Sequence, residues 1–577
     1  MKKIQGFPLP LGVTLVGKIV NFAIAVQTHH TCKLLLYKSG ESKPEQILDM
    51  PEKQGVGEVR FLALEKFQPW NYEYNYLIND QVVVDPYAQE IAGKCIWGQK
   101  TEASKHEIRG SLSYLAKEYE WEGDQQLHIP PHEIVAYSLH IRGYTMQGAS
   151  GVKHKGTFQG VIEKIPYFKE LGINQIQCMP LYEFEECMQS GSYHLCSENQ
   201  INFWGYGEAY YFAPKSSYAA SLDAVSELKD MIKACHNANI EVVLDMAFSG
   251  LVNTQLMEAC LHHYIIDYHI DGFILNPQMI SKKNISEDPL LKHTKIIVDQ
   301  KGFQNVMRKF LKGDEGMVQA VMDQIRHRWH EDGVCQYVAS HNGFTLADAV
   351  SYEEKHNEAN GEQNQDGENY NDTWNCGVEG PTRKRAVVEL RKKQIRNAFT
   401  MLLTAQGMPC ILAGDEFGNS QEGNNNAYCQ DNEIGWVNWK NKKKEEALFT
   451  FVKELIAFRK SHPVLHLDQP LLGADKMTCG IPDVSYHGES AWQRPTEVAS
   501  RQLGVMYSGI YAKDEDCFIA YNMHWMAHSF ALPSLPKKRK WYQAVHTGSQ
   551  KMDGLQLIEN QKEVILKERT IIIFIGR

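Results

Sequence analysis

From about residue 133 to residue 465 the chain alternates apolar strand segments with helical ones, and this rhythm limits the fold more than any other feature. The strand segments are "IVAYSLHI", "INQIQCM", "IEVVLDM", "DGFIL", "KIIVD", "CQYVAS" and "PCILAG". Amphipathic stretches lie between them, among them "AVSELKDMIKACHNAN" and "RKKQIRNAFTMLLTAQ". In the second, Ile395, Ala398, Phe399, Leu402 and Leu403 recur at helical spacing. Such alternation over so long a stretch implies a parallel α/β core. The number of strands favours a closed barrel over an open sheet, and in barrels the chemistry lies where the strands end.

The flanks read differently. Residues 1–100 hold "VNFAIAV", "CKLLLYK", "EVRFLAL" and "NYEYNYLIND", separated by Gly, Pro, Asp and Asn, a pattern that predicts a β-sandwich. Residues 101–132 are polar and mixed, a linker with room for a helix. After residue 465, "RQLGVMYSGIYA", "CFIAYNM", "HSFALP" and "TIIIFIG" predict a second, smaller sandwich over 466–577. No internal repeat or low-complexity tract is visible. "GEQNQDGENYNDTWNCG" (361–377) reads as a long loop, and long loops in compact domains are often functional.

At 577 residues the chain exceeds a single core, which agrees with this division. A formal net charge of -10 argues against nucleic acid or an anionic membrane as the main partner. No apolar run approaches the length of a membrane span. The two lysines near the N-terminus are not followed by an apolar stretch of the secretory kind. The thirteen cysteines form no CxxC pair and are expected to be mostly reduced and buried, in a cytoplasmic protein. No Cys/His spacing supports zinc, and no cofactor is expected.

The ends of the barrel strands carry a recognisable pattern. "LHIRGYTMQGASGVKHKGTFQGVIEKIPYFKELGI", "NFWGYGEAYYFAP", "KHNEANGEQNQDG", "WNCGVEGPT" and "AGDEFGNSQEGNNNAYCQDNEIGWVNW" are long and specific. On these the chain resembles the isoamylase and glycogen-debranching branch of the α-amylase superfamily, nearly from end to end. "PLPLGVT" and "VNFAIA" resemble that family's N-terminal glycogen-binding-type sandwich. The resemblance implies a (β/α)8 barrel between two β-rich modules and hydrolysis of the α-1,6 branch bonds of glycogen or starch. Glycoside hydrolysis of this kind needs two carboxylates flanking the bond.

Carried over residue by residue, the resemblance gives an altered acid set. The nucleophile position, an Asp in "GFRFD", is Asn276 in "GFILN", and the accompanying Arg is Ile274. The general acid position, a Glu, is Asp299 in "IVDQK". The third acid position is Asn342 in "SHNGFT", which keeps His341. After the third strand "DMAFSG" keeps Asp245 but has Ser249 and Gly250 in place of Asn and His. An amide has nearly the shape of a carboxylate, yet it forms no glycosyl ester and supplies no charge to an oxocarbenium-like transition state. Asp299 is one methylene shorter than Glu, and a displacement of about 1 Å costs on the order of a hundredfold in rate. The loops after the third and fifth strands are trimmed, and the segment for a sixth strand is missing or reduced.

Each residue has an ordinary reading too. Asn276 alone is a turn residue. Asp245 ties strand ends together, Tyr206 of "WGY" is either a core tyrosine or a sugar-stacking ring, and His341 is a candidate sugar-hydroxyl ligand. Asp415 and Glu416 of "GDEFG" look like an acid pair but read better as loop anchors. Trp70 and Trp97 are candidate stacking rings in the N-terminal module, with packing as the alternative. The expectation is a debranching-type scaffold that binds α-glucan weakly without hydrolysing it. The alternatives are an active hydrolase with an unusual acid set, and a structural or regulatory subunit bound to a protein partner.

Overall fold

The computed structural model describes every residue except 99–107, 117, 188–200, 328–332 and 537. Its centre is a parallel barrel. The strands are β1 (Ala136–Leu139), β2 (Gln175–Cys178), β3 (Glu241–Asp245), β4 (Gly272–Ile274), β5 (Lys295–Ile297), β6 (Cys335–Gln336) and β7 (Met408–Leu412). They neighbour one another in that order, and β7 pairs back onto β1. These are the seven segments that the hydrophobic runs nominate. Among the described residues β5 and β6 meet through the parallel bridge Val298–Val334, where Val298 N donates to Gly333 O at 3.0 Å.

The eight-stranded frame implied by the resemblance is thus present as seven strands among the described residues. The chain leaves β5 directly into helices α3 (Gly302–Lys312) and α4 (Val318–Arg326), so the reduction falls where the sixth strand would stand. Upstream, α1 (Ala224–Asn237) and α2 (Thr254–Tyr268) cover β2 to β4. Asp223 and Asn253 cap them by accepting from Ser226 N and Leu256 N, as short polar side chains do at helix starts.

The barrel interior is apolar around Ala136, Val243, Ile297, Tyr337 and Met408. A polar thread runs through it. Lys295 pairs with Glu241, Glu241 accepts from Gln175 Nε2 at 2.9 Å, and Gln177 Nε2 donates to Gln175 Oε1 at 3.0 Å. Ile129 N, from the stretch before β1, donates to the same Glu241 carboxylate at 2.7 Å. Buried charges survive only when paired and hydrogen-bonded, and each group here has its partner.

Helix α5 (Arg385–Thr404) joins the barrel to the C-terminal sheets. The face anticipated from its spacing is buried: Ile395, Ala398, Phe399, Leu402 and Leu403 pack with Val505, Tyr507, Ile519, Tyr521, Ile571 and Ile573. The strands Asp516–Asn522 and Thr570–Gly576 are buried at every residue, because both their faces are covered. Cys517, Ile519 and Tyr521 face the barrel, and Phe518 and Ala520 face the small second sheet with Phe530 and Leu566. That explains why "TIIIFIG" does not alternate.

At the other end, a four-stranded and a six-stranded sheet pack Val20, Phe22 and Ile24 against Leu34, Leu36, Tyr74 and Tyr76. Arg109–Ser111, inside the stretch read as a linker, pairs with Tyr72–Ile78 and belongs to that sandwich. Ser113–Ala116 is a single 3-10 turn; the rest of the linker reading falls partly outside the described residues. Residues 361–377 contain no helix or strand, as expected of a loop.

Candidate active site

A cavity of about 560 Å³ opens at the C-terminal ends of the barrel strands. Its lining includes Asn276, Asp299 and Asn342, and also Tyr206, Asp245 and His341. The topology explains the gathering. Asp245 is the last residue of β3, Asn276 and Asp299 each lie two residues past β4 and β5, and His341 and Asn342 lie in the loop after β6. Tyr206 arrives from the long connection between β2 and β3.

One wall is interlocked. Tyr206 Oη donates to Asp245 Oδ2 at 2.6 Å and lies 2.9 Å from His341 Nε2. Since the tyrosine proton is used on Asp245, His341 Nε2 carries the proton in the second bond. The Tyr206 and His341 rings stack at 5.7 Å and 18°, and Trp204 meets His341 edge-on at 5.1 Å. Burial pulls the His341 imidazole down to about 4, opposed by the Asp299 charge. Burial pushes the Asp245 carboxyl up to about 7; the Tyr206 hydroxyl works against this and the charge of Asp299 adds to it. Asp245 therefore does what strand-end anchoring requires, and it also faces the cavity.

The opposite wall is open. Asn276 is exposed, and its Oδ1 accepts from Gln278 N at 3.0 Å while its carbonyl accepts from Met279 N at 3.0 Å. This is an Asx turn, the ordinary use of an asparagine at such a place. Ile274, where the family Arg would stand, packs toward the apolar interior. Asn342 is exposed as well. Asp299 is exposed and accepts a hydrogen bond from Tyr337 Oη, which comes from the loop after β6.

The floor is mostly apolar, with Ile297, Met179 and Met246, but it holds two thiols. Cys410 Sγ donates to Gln177 Oε1 at 3.4 Å, and Gln177 Nε2 lies 3.8 Å from Cys335 Sγ. The polar thread of the barrel thus ends at the cavity. Every described cysteine is a free thiol. Among the described residues, no group of three or more His, Cys, Asp or Glu is arranged to hold a metal ion, and no helix is long and apolar enough to cross a membrane.

Behind the mouth the two asparagine-rich motifs interlock. Asn357 Nδ2 donates to Asn425 Oδ1 at 2.9 Å, and Asn360 Oδ1 accepts from Asn424 and Gln430, both at 2.8 Å. Asp366 Oδ2 accepts from Asn357, Asn360 and Asn426, and Asn426 lines the cavity. The motifs are therefore scaffolding for the mouth. Asp415 and Glu416 are anchors: Asp415 Oδ1 accepts from Leu346 N at 2.9 Å, and Glu416 accepts from Tyr137 and Tyr167.

Sequence reasoning missed Trp204, Tyr337, Gln177 and the two thiols. Trp204 stands beside Tyr206 in the same motif and was findable; the others act through partners far away in sequence. The stacking role offered for Trp97 is not supported. Its Nε1 donates to Asp431 at 2.7 Å, Tyr218 stacks on it, and Arg142 lies 4.8 Å from its ring centroid. Trp70 remains 41% exposed.

A parallel barrel with aromatic, histidine and carboxylate side chains converging at its C-terminal mouth defines an α-amylase-type barrel protein. The family profile of alpha amylase, catalytic domain, matches residues 144–251. The chain is 30% identical to the glycogen debranching enzyme of Erwinia tasmaniensis, over 81% of this chain and 85% of that protein. It is 28% identical to the chloroplastic isoamylase 1 of Arabidopsis thaliana, over 94% and 85% of the two chains. In fold it matches a pullulanase from Bacillus acidopullulyticus with a TM-score of 0.73 at 19% identity, covering 98% of this chain and 75% of that one. The GBS pullulanase SAP, solved in complex with maltotetraose, matches with a TM-score of 0.76 at 15% identity, covering 99% and 88%. The chain belongs to the isoamylase and glycogen-debranching family of the α-amylase superfamily, and its role lies in carbohydrate metabolism.

Proposed function

We propose that this chain binds the end of an α-glucan in the barrel-mouth cavity and does not hydrolyse it. The observation that carries the reading is the contrast within the cavity. Tyr206, Asp245 and His341 are held in fixed geometry, while the position of attack is an exposed amide closing its own turn. Stacking and hydrogen bonding to a ground-state sugar need no nucleophile; catalytic acids act on the transition state. The open wall gives a weak grip, with a Kd on the order of millimolar, or about -4 kcal/mol. The free thiols support a reducing, cytoplasmic setting.

The test is retention on insoluble amylose or glycogen, with calorimetry on malto-oligosaccharides, for wild type and Tyr206→Ala. Binding lost in the variant supports the barrel site. Equal retention moves the site to the N-terminal sandwich, and no retention by either leaves a structural or regulatory subunit with a protein partner.

One observation favours hydrolysis as a second reading. Asp245, whose carboxyl burial pushes up to about 7, and Asp299 line one cavity, and a proton donor with a second carboxylate is what glycoside cleavage requires. Release of reducing ends from glycogen or pullulan, abolished by Asp299→Ala, is the result that would establish it.

A further inference from the structure

The sequence contains two Asn-Gly pairs, Asn342–Gly343 and Asn360–Gly361, and the fold treats them in opposite ways. Asn-Gly is the dipeptide most open to deamidation, because a glycine places no side chain in the way of ring closure. The backbone nitrogen after the asparagine attacks the side-chain carbonyl carbon, ammonia leaves, and a succinimide forms. Water then opens the ring to aspartate or isoaspartate. The net change is amide plus water to carboxylic acid plus ammonia, with no oxidant or other co-reactant.

At 360 both reacting groups are tied down. Asn360 is fully buried. Its Nδ2 donates to Asp366 Oδ2 at 2.7 Å and to Asn426 O at 2.8 Å, and its Oδ1 accepts from Asn424 and Gln430. Gly361 N donates to Glu358 O at 3.1 Å. At 342 neither group is hydrogen-bonded among the described residues, although Gly343 is itself buried. Asn342 is exposed at the cavity mouth, and its side chain makes no hydrogen bond among the described residues. Its carbonyl accepts only a long contact from Ser340 Oγ, at 3.5 Å. Gly343 N has no hydrogen-bond acceptor among the described residues either.

We propose that Asn342 is a site of spontaneous deamidation in the folded protein, with water as the reactant, so that this family-acid position gains a carboxylate as the molecule ages. The change adds a negative charge to a cavity that already holds Asp245 and Asp299. It does not supply a nucleophile, since Asn276 is followed by Pro277 and keeps its amide. The aged protein is therefore a charge variant at the mouth and not a restored hydrolase. The inference uses the layout of the cavity and does not depend on glucan binding.

The experiment is incubation of the full-length folded protein in warm, mildly alkaline buffer, followed by peptide mass spectrometry of both Asn-Gly peptides. One hydrogen bond is worth severalfold in an equilibrium, and Asn360 has four to break, so Asn342 is expected to gain one mass unit at least about a hundredfold faster than Asn360. Asn342→Gln removes the signal, and Asn342→Asp serves as the standard for the aged state by charge-resolving chromatography. Two results overturn the proposal. One is an unchanged Asn342 under conditions where the same peptide, cut from denatured protein, converts. The other is equal conversion at 342 and 360 in folded protein. Loss of glucan retention in the assay above leaves this readout untouched, so the two proposals fail separately.

Discussion

The two walls of the cavity are built on opposite plans. On one side, Tyr206, Asp245, His341 and Trp204 satisfy one another, and the backbone behind them is pinned by a buried arginine: Arg308 donates to the carbonyls of Val338, Phe344 and Asn371. On the other side, Asn276 and Asn342 are exposed; among the described residues Asn276 Oδ1 accepts from Gln278 N, and the Asn342 carbonyl has a long contact from Ser340 Oγ. The first wall is ordered by side chains from two separate loops and the end of β3, whereas Asn276 and Asn342 on the second are ordered locally. Substitution is cheap at the second, which holds Asn276 and Asn342, the positions that the sequence resemblance aligns with family acids. Fold persists under such change more readily than a site does.

The comparison can be broken hardest at Arg308. Arg308→Ala leaves two buried carbonyls, of Val338 and Phe344, and the part-buried one of Asn371 without this donor; unsatisfied buried groups cost about 1–3 kcal/mol each, so a loss of about 3–5 kcal/mol in chemical denaturation is expected. A loss under about 1 kcal/mol would mean that the wall is held by other contacts. A sharper cut sets the two walls against each other. Tyr206→Phe keeps the ring but drops both hydrogen bonds, for an expected cost of about 1–3 kcal/mol. Asn276→Ala opposite removes one exposed turn bond, and surface changes of this kind stay within about 0.5 kcal/mol. Equal costs for the pair would erase the distinction.

The pH dependence adds a third test. The folded-state value of Asp245 lies above the ordinary carboxylate value, at about 7, so the folded protein holds this proton more tightly than the unfolded chain does. Stability from this group is fully present below about pH 4, the unfolded value, and is lost as pH rises through about 7. The slope is at most about 1.4 kcal/mol per pH unit, and Asp245→Asn should flatten it in denaturation curves taken across that window. The smallest expected effect is none. Asn276→Asp, Asn342→Asp and Asp299→Glu combined should release no reducing ends above a buffer blank, because Ile274 and the trimmed loops leave the new acids unsupported. Turnover near that of an active debranching enzyme in this triple variant would show the open wall to be complete apart from its acids.

Much of the fold was legible because local chemistry and tertiary environment agree. The seven barrel strands are short, apolar and bounded by turn residues, and "TIIIFIG" is buried on both faces as its composition suggests. The positions of the site were legible only through long motifs, since nothing local distinguishes Asn276 from any other turn asparagine. Arg109–Ser111 escaped notice as a strand because "RGS" has no β-branched residue, and its partner is distant in sequence: Arg109 bonds Glu73 on the strand it pairs with, at 3.0 Å. Trp97 takes the packing role given as the alternative to stacking, and the roles of Arg308 and Tyr337 were invisible. In each case a partner decides the role: Asp431 is more than three hundred positions from Trp97, and Asp299 and Phe344 are equally unmarked by the local sequence.

The short bridge between β5 and β6 gives the ring a clasp. Elsewhere around the barrel, neighbouring strands such as β1, β2 and β3 share four-residue registers, so opening them means breaking a ladder. At the clasp, the described ties are the bond from Val298 N to Gly333 O and the one from Tyr337 Oη to Asp299. Local opening starts where few bonds must break together. Native-state hydrogen exchange should therefore find Val298 the least protected of the amides that tie barrel strands together, with Val242 to Leu244 of β3 among the most protected. Exchange at Val298 ahead of Val242 to Leu244 would place the first opening of the barrel beside Asp299, in the wall of the cavity.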